Sequence, residues 1–152
     1  GVFNGKSIRL IASQTNGTVH GFDSFEGLPE AWHDEKKGTY STFGQLPDVP
    51  DNLRLHRGLF ENSIPEFQKS ENGPIRFINI DCDLYNSTKT IFDLLGSQII
   101  AGTVILFDEF IGYPTWKDDE FKAFHEAAEQ FDWDYDILGF SFLTKQVALI
   151  IK

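Results

Sequence analysis

The chain has 152 residues, a formal net charge of −10 and a single cysteine. Its length suits one domain with a buried core, so we expect a single domain over residues 1–152. The acidic charge disfavours nucleic acid and anionic membranes as partners, and no apolar run reaches the length of a membrane span. The lone cysteine excludes an internal disulfide and is typical of a reducing compartment, so we expect a cytoplasmic protein. A homo-oligomer is possible from the sequence.

A glycine-containing turn followed by a helix opens the chain. Gly1-Val2-Phe3-Asn4-Gly5-Lys6-Ser7 precedes apolar residues at helical spacing, and Ser7 has the side chain of an N-cap. Such a turn lets the backbone approach a ligand with free N–H groups, although an ordinary turn has the same residues. The sequence lacks an initial Met, and its first residues correspond to the last part of a strand–turn–helix motif. We therefore expect an N-terminal truncation that removes the first strand.

The next strand ends in an acidic residue. Residues 18–23 read as a strand that closes on Asp23. This acid follows the glycine turn by about 20 residues, the spacing at which a carboxylate reaches ribose hydroxyls in nucleotide-binding βαβ units. The combination of turn and acid therefore indicates a nucleotide-like ligand more strongly than either part alone.

A long segment without periodicity follows. Residues 24–51 contain prolines, glycines and the aromatic residues Trp32, Tyr40 and Phe43. A loop of this length in a compact domain is either a functional lid or a surface insertion. Residues 53–58 then alternate like a strand, and a helix is predicted to begin at Asn62 with Pro65 near its first turn.

Acidic residues end two apolar runs in the second half of the chain. Residues 74–80 precede Asp81 and Asp83, and residues 104–107, after a turn at Gly102, precede Asp108 and Glu109. Short apolar runs indicate buried parallel strands, and ligands bind at the carboxyl ends of such strands. If the strands are neighbours, the four carboxylates form either a hard-cation site or a pair for acid–base chemistry.

The remaining elements complete an α/β pattern. Ser87 is a candidate cap for the helix after the first acidic pair, and acids at 118–120 start the next helix. Residues 135–142 and 147–151 read as strands joined through Lys145-Gln146, so the last strand should run antiparallel. The four histidines lack the spacing of a zinc site and favour structural roles, and Cys82 between two aspartates is read as a small buried residue.

Four pieces of the sequence together form a recognisable pattern. They are residues 1–7, Gly21-Phe22-Asp23-Ser24-Phe25-Glu26-Gly27-Leu28-Pro29, Ile80-Asp81-Cys82-Asp83-Leu84-Tyr85-Asn86-Ser87-Thr88 and Phe107-Asp108-Glu109-Phe110. This pattern resembles the macrocin O-methyltransferase family of class I S-adenosylmethionine-dependent enzymes, and the similarity runs nearly end to end. The resemblance implies a Rossmann-like doubly wound α/β sheet, mostly parallel with an antiparallel last strand, and the methylation of small-molecule hydroxyls, including sugar hydroxyls of natural products.

The resemblance implies roles for individual residues. The first turn would contact the methionine part of the cofactor, Asp23 the ribose, and the residues after the next strand the adenine. Mg²⁺ would be bound by Asp81, Asp108 and Glu109, and the general base would be Asp83 or His125. The residues expected at the cofactor are Gly1, Val2, Phe3, Gly5, Ser7, Asp23, Ser24, Gly58, Leu59 and Asp81.

Two other functions are compatible with the residues. A nicotinamide-dependent Rossmann oxidoreductase would use the turn and Asp23. However, this sequence lacks the G-x-G-x-x-G spacing of such enzymes, and that function leaves the acidic strand ends unexplained. A non-catalytic nucleotide-binding domain would keep the fold without the chemistry. The magnesium-dependent O-methyltransferase accounts for most of the motifs.

Overall fold

The structure is a computed structural model that describes residues 1–152. The chain divides into two compact units, Gly1–Phe67 and Gln68–Lys152, which are described separately. None of the helices has the length and apolar character needed to cross a membrane.

The first unit packs helices against a two-stranded parallel sheet. Its core is formed by five buried apolar side chains that come from the opening turn, the first helix, the start of the loop and the second strand. Because the turn contributes Val2 to this core, its backbone is fixed to the sheet. The core residues are Val2, Ile8, Ala12, Phe25 and Leu53; the elements are α1 (Lys6–Ser13), β1 (Val19–Asp23), β2 (Leu53–Arg57) and α2 (Phe60–Gln68).

The second unit contains a four-stranded mixed sheet in the order β3-β4-β6-β5. β3 and β4 are parallel, and β6 runs antiparallel to both of its neighbours, which confirms the predicted α/β class and the antiparallel last strand. Six residues, Ser141 to Gln146, join the last two strands, so this connection is longer than the sequence predicted. The elements are β3 (Ile75–Ile80), α3 (Tyr85–Leu95), β4 (Ile99–Phe107), α4 (Glu120–Gln130), β5 (Tyr135–Phe140) and β6 (Val147–Ile151).

Aromatic rings fill the core of the second unit. Phe92 on α3, Phe107 on β4 and Phe124 on α4 are almost completely buried and contact one another with centroids 5.5 to 6.3 Å apart. Their edge-to-face and tilted geometries are the ones that aromatic quadrupoles favour. This cluster fixes both helices on the sheet and so fixes the strand ends that carry the acids.

The predicted cap residues were wrong at two helices. α1 begins at Lys6, before Ser7, because Gly5 is the N-cap and takes the left-handed conformation (φ 82°) that glycine adopts without strain. α3 begins at Tyr85 rather than near Ser87: Leu84 is its N-cap, and the Leu84 carbonyl accepts the backbone N–H of Thr88 at 3.0 Å.

Two other predicted boundaries also differ. α2 begins at Phe60, so Pro65 lies inside the helix rather than near its first turn. The Leu59 carbonyl already accepts the backbone N–H of Ser63, which extends the helix towards the N-terminus. β4 begins at Ile99 and continues through Gly102, where the pairing with β3 shifts register, so this glycine marks a strand irregularity instead of the turn before the strand.

Candidate functional site

The strand ends of the first unit lie side by side. Asp23 and Arg57 are paired as the last residues of the parallel strands β1 and β2. The backbone N–H of Gly58 donates to the Asp23 carbonyl at 3.0 Å, so the chain leaves β2 directly beside the end of β1. The expected ribose and adenine residues therefore share one edge of this sheet.

The Asp23 carboxylate binds the backbone of the opening turn. Oδ2 accepts the N–H groups of Val2 and Phe3 at 2.7 and 2.8 Å, and Oδ1 accepts the N–H of Phe25 at 2.7 Å. An ionised carboxylate has about four lone-pair sites, so about one remains for a hydroxyl of a ligand. Asp23 can thus hold the turn and still accept one ribose hydroxyl.

The other residues expected at the cofactor have varied surroundings. Gly1 and Ser7 are exposed, and Gly5 is buried at the start of α1. The Ser24 hydroxyl accepts the N–H of Glu26 at 3.1 Å and therefore stabilises its own turn. The side chain of Leu59 is 41% exposed and available to an apolar ligand face.

The loop of residues 24–51 is anchored to its own base. The Phe25 carbonyl accepts the backbone N–H groups of Thr42 and Gly44 at 3.2 and 2.9 Å. The backbone N–H of Leu28 also donates to the Thr39 carbonyl at 2.9 Å. The loop has no regular strand or helix, apart from an isolated bridge between Trp32 and Glu35, yet these bonds give it a defined conformation.

One aromatic contact joins this loop to the opening turn. The rings of Phe3 and Tyr40 meet edge to face with centroids 5.9 Å apart, and both side chains are more than two-fifths exposed. Both residues have positive φ, which is uncommon for bulky side chains and occurs preferentially at functional sites. The contact presents two exposed rings next to the backbone that Asp23 holds.

The anchoring can be tested with two glycines of the loop. A Cβ at Gly27 would lie 2.4 Å from the carbonyl oxygens of Gly38 and Thr39, whereas a Cβ at Gly38 would meet no atom within 4 Å. Both residues have left-handed φ, so alanine costs about 1–2 kcal/mol of backbone strain at either position. We expect Gly27→Ala to lower the free energy of unfolding by more than Gly38→Ala and to increase proteolysis within residues 24–51; equal effects would contradict the anchoring.

The second unit brings the two acidic strand ends together. β3 and β4 are adjacent and parallel, and Ile80 pairs with Phe107 as the last residues of the two strands. The backbone N–H of Asp108 donates to the Ile80 carbonyl at 2.9 Å. Asp81 and Asp108 therefore leave neighbouring strands at the same edge, as the sequence predicted.

Asp83 occupies a constrained position in this acidic group. It has φ 61°, within a tight turn in which the N–H of Leu84 donates to the Cys82 carbonyl at 2.6 Å. Burial raises the pKa of Asp83 to about 7, and the negative charges of Asp81 and Glu109 add to the increase. A carboxyl group that titrates near neutrality can exchange a proton with a hydroxyl acceptor.

The expected magnesium ligands have protein partners. Lys145 Nζ forms an ion pair with Glu109 Oε1 at 3.1 Å, and Gln146 Nε2 donates to Asp108 Oδ1 at 2.5 Å. Glu109 Oε2 is buried and has no hydrogen-bond partner, as suits an oxygen that binds a cation. However, no group of three or more acidic, histidine or cysteine side chains has the arrangement of a metal site, so Asp81, Asp108 and Glu109 do not form a ligand set in this geometry.

Sequence reasoning missed three side chains of this region. The sequence predicts Glu120 as an acid that favours a helix start, yet it is completely buried and its Oε1 accepts the N–H of Cys82 at 3.4 Å. Lys145 and Gln146 are predicted only as turn residues, yet both contact the acids at the end of β4. No periodicity distinguishes these residues, because their partners are distant in sequence.

His125 and Cys82 have structural contacts. The two ring nitrogens of His125 lie 2.8 Å from the Phe121 carbonyl and 3.3 Å from the Tyr135 hydroxyl, so both already have partners. Burial raises the pKa of the Cys82 thiol, and the charge of Glu120 acts in the same direction. The raised pKa agrees with the prediction that Cys82 is not a nucleophile, although its side chain is only half-buried and not buried as the sequence predicted. Because both ring nitrogens of His125 have partners, Asp83 is the better placed of the two expected bases.

Comparison with known proteins identifies the family. A family model described as a methyltransferase domain matches residues 1–110, which include the opening turn, Asp23 and both acidic strand ends. None of the curated proteins searched matches the chain. The family match favours methyl transfer over the nicotinamide-dependent alternative.

Solved structures of methyltransferases share the fold. Two structures of CalS11 match over 99% of this chain and 69% of theirs: one described as a calicheamicin methyltransferase (TM-score 0.76, 19% identity) and an apo structure described as a TDP-rhamnose 3'-O-methyltransferase (0.67, 21%). The O-methyltransferase NovP matches with TM-score 0.72 and 19% identity over the same shares. An O-methyltransferase from Bacillus cereus in complex with SAH matches over 100% of this chain and 71% of its own, with TM-score 0.61 and 16% identity.

The family match covers well over half of the chain, and the structural matches agree with it in fold. At these identities the structures themselves support only the fold. The chain therefore belongs to the methyltransferase domain family and has the Rossmann-like α/β fold of O-methyltransferases.

Proposed function

We propose that this protein transfers the methyl group of S-adenosylmethionine to a hydroxyl group of a small molecule. The observation that carries the proposal is that residues 1–110, matched by the methyltransferase domain, contain both the turn bound by Asp23 and the acidic ends of β3 and β4. The proposed cofactor residues are the ten expected from the sequence, Asp81 among them. The lone cysteine favours the cytoplasm as the proposed location.

The chemistry needs a positioned hydroxyl and a proton acceptor. In the transfer, the methyl carbon bonds to the hydroxyl oxygen while its bond to the sulfonium sulfur breaks, and the sulfur keeps the electron pair as a thioether. The hydroxyl proton passes to a base, for which we propose Asp83, with His125 as the alternative. The protein contributes mainly by holding the two reactants in line, because correct positioning lowers the barrier of such a displacement.

A sugar hydroxyl is the proposed acceptor. CalS11 is described as acting on TDP-rhamnose and NovP as an O-methyltransferase, and both share this fold. The exposed rings of Phe3 and Tyr40 offer an apolar surface of the kind on which a sugar face packs. The macrocin O-methyltransferase subfamily and a natural-product substrate are part of the same proposal and rest on the sequence resemblance.

Cofactor binding and turnover test the proposal separately. We expect calorimetry to detect binding of S-adenosylmethionine, and mass spectrometry to detect S-adenosylhomocysteine and a monomethylated product with hydroxyl acceptors that include a nucleoside diphosphate sugar. Absence of cofactor binding would overturn the proposal. Binding without any transfer across the acceptor panel would identify a non-catalytic binding domain instead.

We further propose that Asp81, Asp108 and Glu109 take up Mg²⁺ only when Lys145 withdraws from Glu109. A bound Mg²⁺ supplies positive charge that fixes and acidifies a hydroxyl. The Lys145 ammonium already places one positive charge on Glu109 Oε1 at 3.1 Å, and it would repel a cation at the same carboxylate.

This competition predicts the effect of removing the ammonium. We expect Lys145→Ala to raise the affinity for Mg²⁺, measured by calorimetry without cofactor or acceptor, by about tenfold, which corresponds to about 1.4 kcal/mol. Lys89→Ala is the matched control, because Lys89 is paired with Asp93 on the exposed surface of α3. If neither the wild type nor Lys145→Ala binds Mg²⁺, these three carboxylates are not a magnesium site.

A further inference from the structure

The start of α4 places one acidic side chain inside the protein. Glu120 is the first residue of the helix and has no exposed surface, whereas acids at helix starts are ordinarily solvated. Burial raises the pKa of this carboxyl well above its ordinary value. Burying a carboxyl group costs free energy unless it is hydrogen-bonded, so its presence where an apolar residue would pack more favourably indicates a use for its oxygens.

Glu120 contacts the first acidic turn through its side chain. Its Oε1 accepts the N–H of Cys82, which lies between Asp81 and Asp83 after β3. One side chain from α4 thus holds the backbone of the turn that carries these two acids.

Helix α4 is held firmly enough to transmit this constraint. Phe124, one turn after Glu120, is fully buried and packs against Phe107, the last residue of β4, with ring centroids 5.5 Å apart. The backbone N–H of Ala123 donates to the Asp119 carbonyl at 3.1 Å and fixes the first turn of the helix. The position of Glu120 is therefore determined by the core and not by the acidic group itself.

We propose that Glu120 is a positioning residue that sets the distance between the Asp81–Asp83 turn and the Asp108–Glu109 turn. This inference rests on the proposed methyl transfer, for which those carboxylates orient the acceptor. Glu120 touches neither reactant and acts through the backbone of Cys82, while the packing of Phe124 on Phe107 ties α4 to the end of β4, directly before Asp108. Its second oxygen, Oε2, is buried without a partner, so the role requires only one acceptor oxygen.

Three substitutions distinguish positioning from chemistry. Glu120→Gln keeps one acceptor oxygen and should retain kcat within about threefold. Glu120→Ala removes both acceptors and should lower kcat about 100-fold, the size of effect that a displacement of about 1 Å produces. Glu120→Asp, which withdraws the carboxylate by one methylene, should lower kcat at least tenfold and serves where the alanine variant does not fold. Glu129→Gln, on the exposed face of the same helix, is the control.

The expected pattern is a loss in kcat with the dissociation constant of S-adenosylmethionine unchanged. A glutamine variant as impaired as the alanine or aspartate variant would overturn the proposal, because the charge itself would then be needed. Folded alanine or aspartate variants with wild-type kcat would overturn it as well.

Amide hydrogen exchange provides a readout that does not depend on the proposed function. In Glu120→Ala, or in Glu120→Asp if the alanine variant does not fold, the amide of Cys82 should exchange faster than in the wild type. Unchanged exchange at this amide would overturn the positioning role. If the wild type transfers no methyl group but this amide responds, the proposed function fails while the positioning of the Asp81–Asp83 turn by Glu120 stands.

Discussion

Replacing Asp23 with alanine is expected to weaken the binding of S-adenosylmethionine by at least about 100-fold. The carboxylate accepts the backbone N–H groups of Val2, Phe3 and Phe25, and each hydrogen bond to a charged group contributes about 1.5–3 kcal/mol. Losing the proposed ribose contact removes about 1.5–3 kcal/mol of binding free energy. The cofactor must in addition order a turn that Asp23 no longer holds, so a total loss of about 3 kcal/mol, or about 100-fold in affinity, is expected. Isothermal titration calorimetry with purified protein measures this change.

The control for this prediction is Asp34→Ala. Asp34 is an exposed acid of the loop in the same unit, so its removal changes the net charge equally without touching the turn. Its affinity for S-adenosylmethionine should stay within about twofold of the wild type, since isolated surface charges contribute little. An Asp23→Ala variant that folds and binds the cofactor with unchanged affinity would refute the assignment of Asp23.

Replacing Phe124 with alanine is expected to lower the free energy of unfolding by about 3–5 kcal/mol. The Phe124 side chain is fully buried and contacts the rings of Phe107 and Tyr135 with centroids 5.5 and 4.9 Å away. Truncation removes apolar area and leaves a cavity at the base of α4. Denaturant unfolding followed by tryptophan fluorescence measures the shift in the transition midpoint.

Leu143→Ala provides the comparison for this substitution. Leu143 lies in the connection between β5 and β6 and is 97% exposed, so its truncation should change the free energy of unfolding by less than about 0.5 kcal/mol. A loss below about 1 kcal/mol in Phe124→Ala would mean that the aromatic cluster does not hold α4 on the sheet.

The acidic strand ends were predictable because they depend on local patterns. The apolar runs before Asp81 and Asp108 indicate buried strands, and the tendency of consecutive parallel strands to be neighbours places their ends together. The antiparallel last strand followed from a turn between two apolar runs in the same way. Such features need only residues close in sequence and a general rule of topology.

The partners of those acids were not predictable because they arise from tertiary packing. Glu120 at a helix start has the sequence signature of a dipole-stabilising acid, and only the packing of α4 buries it beside Cys82. Lys145 and Gln146 reach the acids because β6 pairs with β4 and brings its preceding turn to that edge. The same limit explains the cap errors, because backbone geometry at Gly5 and Leu84, not serine side chains, determines where α1 and α3 begin.

The Asp23 carboxylate contacts the opening turn only through backbone N–H groups, so the backbone of the turn must be preserved whereas its side chains can change. The carboxylate accepts the backbone N–H groups of Val2 and Phe3, and every residue type except proline has such a group. A receptor preorganised in this way loses little conformational entropy when its ligand arrives. The exposed ring of Phe3 can therefore vary while the backbone of the turn stays the same. Under the proposed function, new acceptors would be accommodated by changing the side chains around this turn.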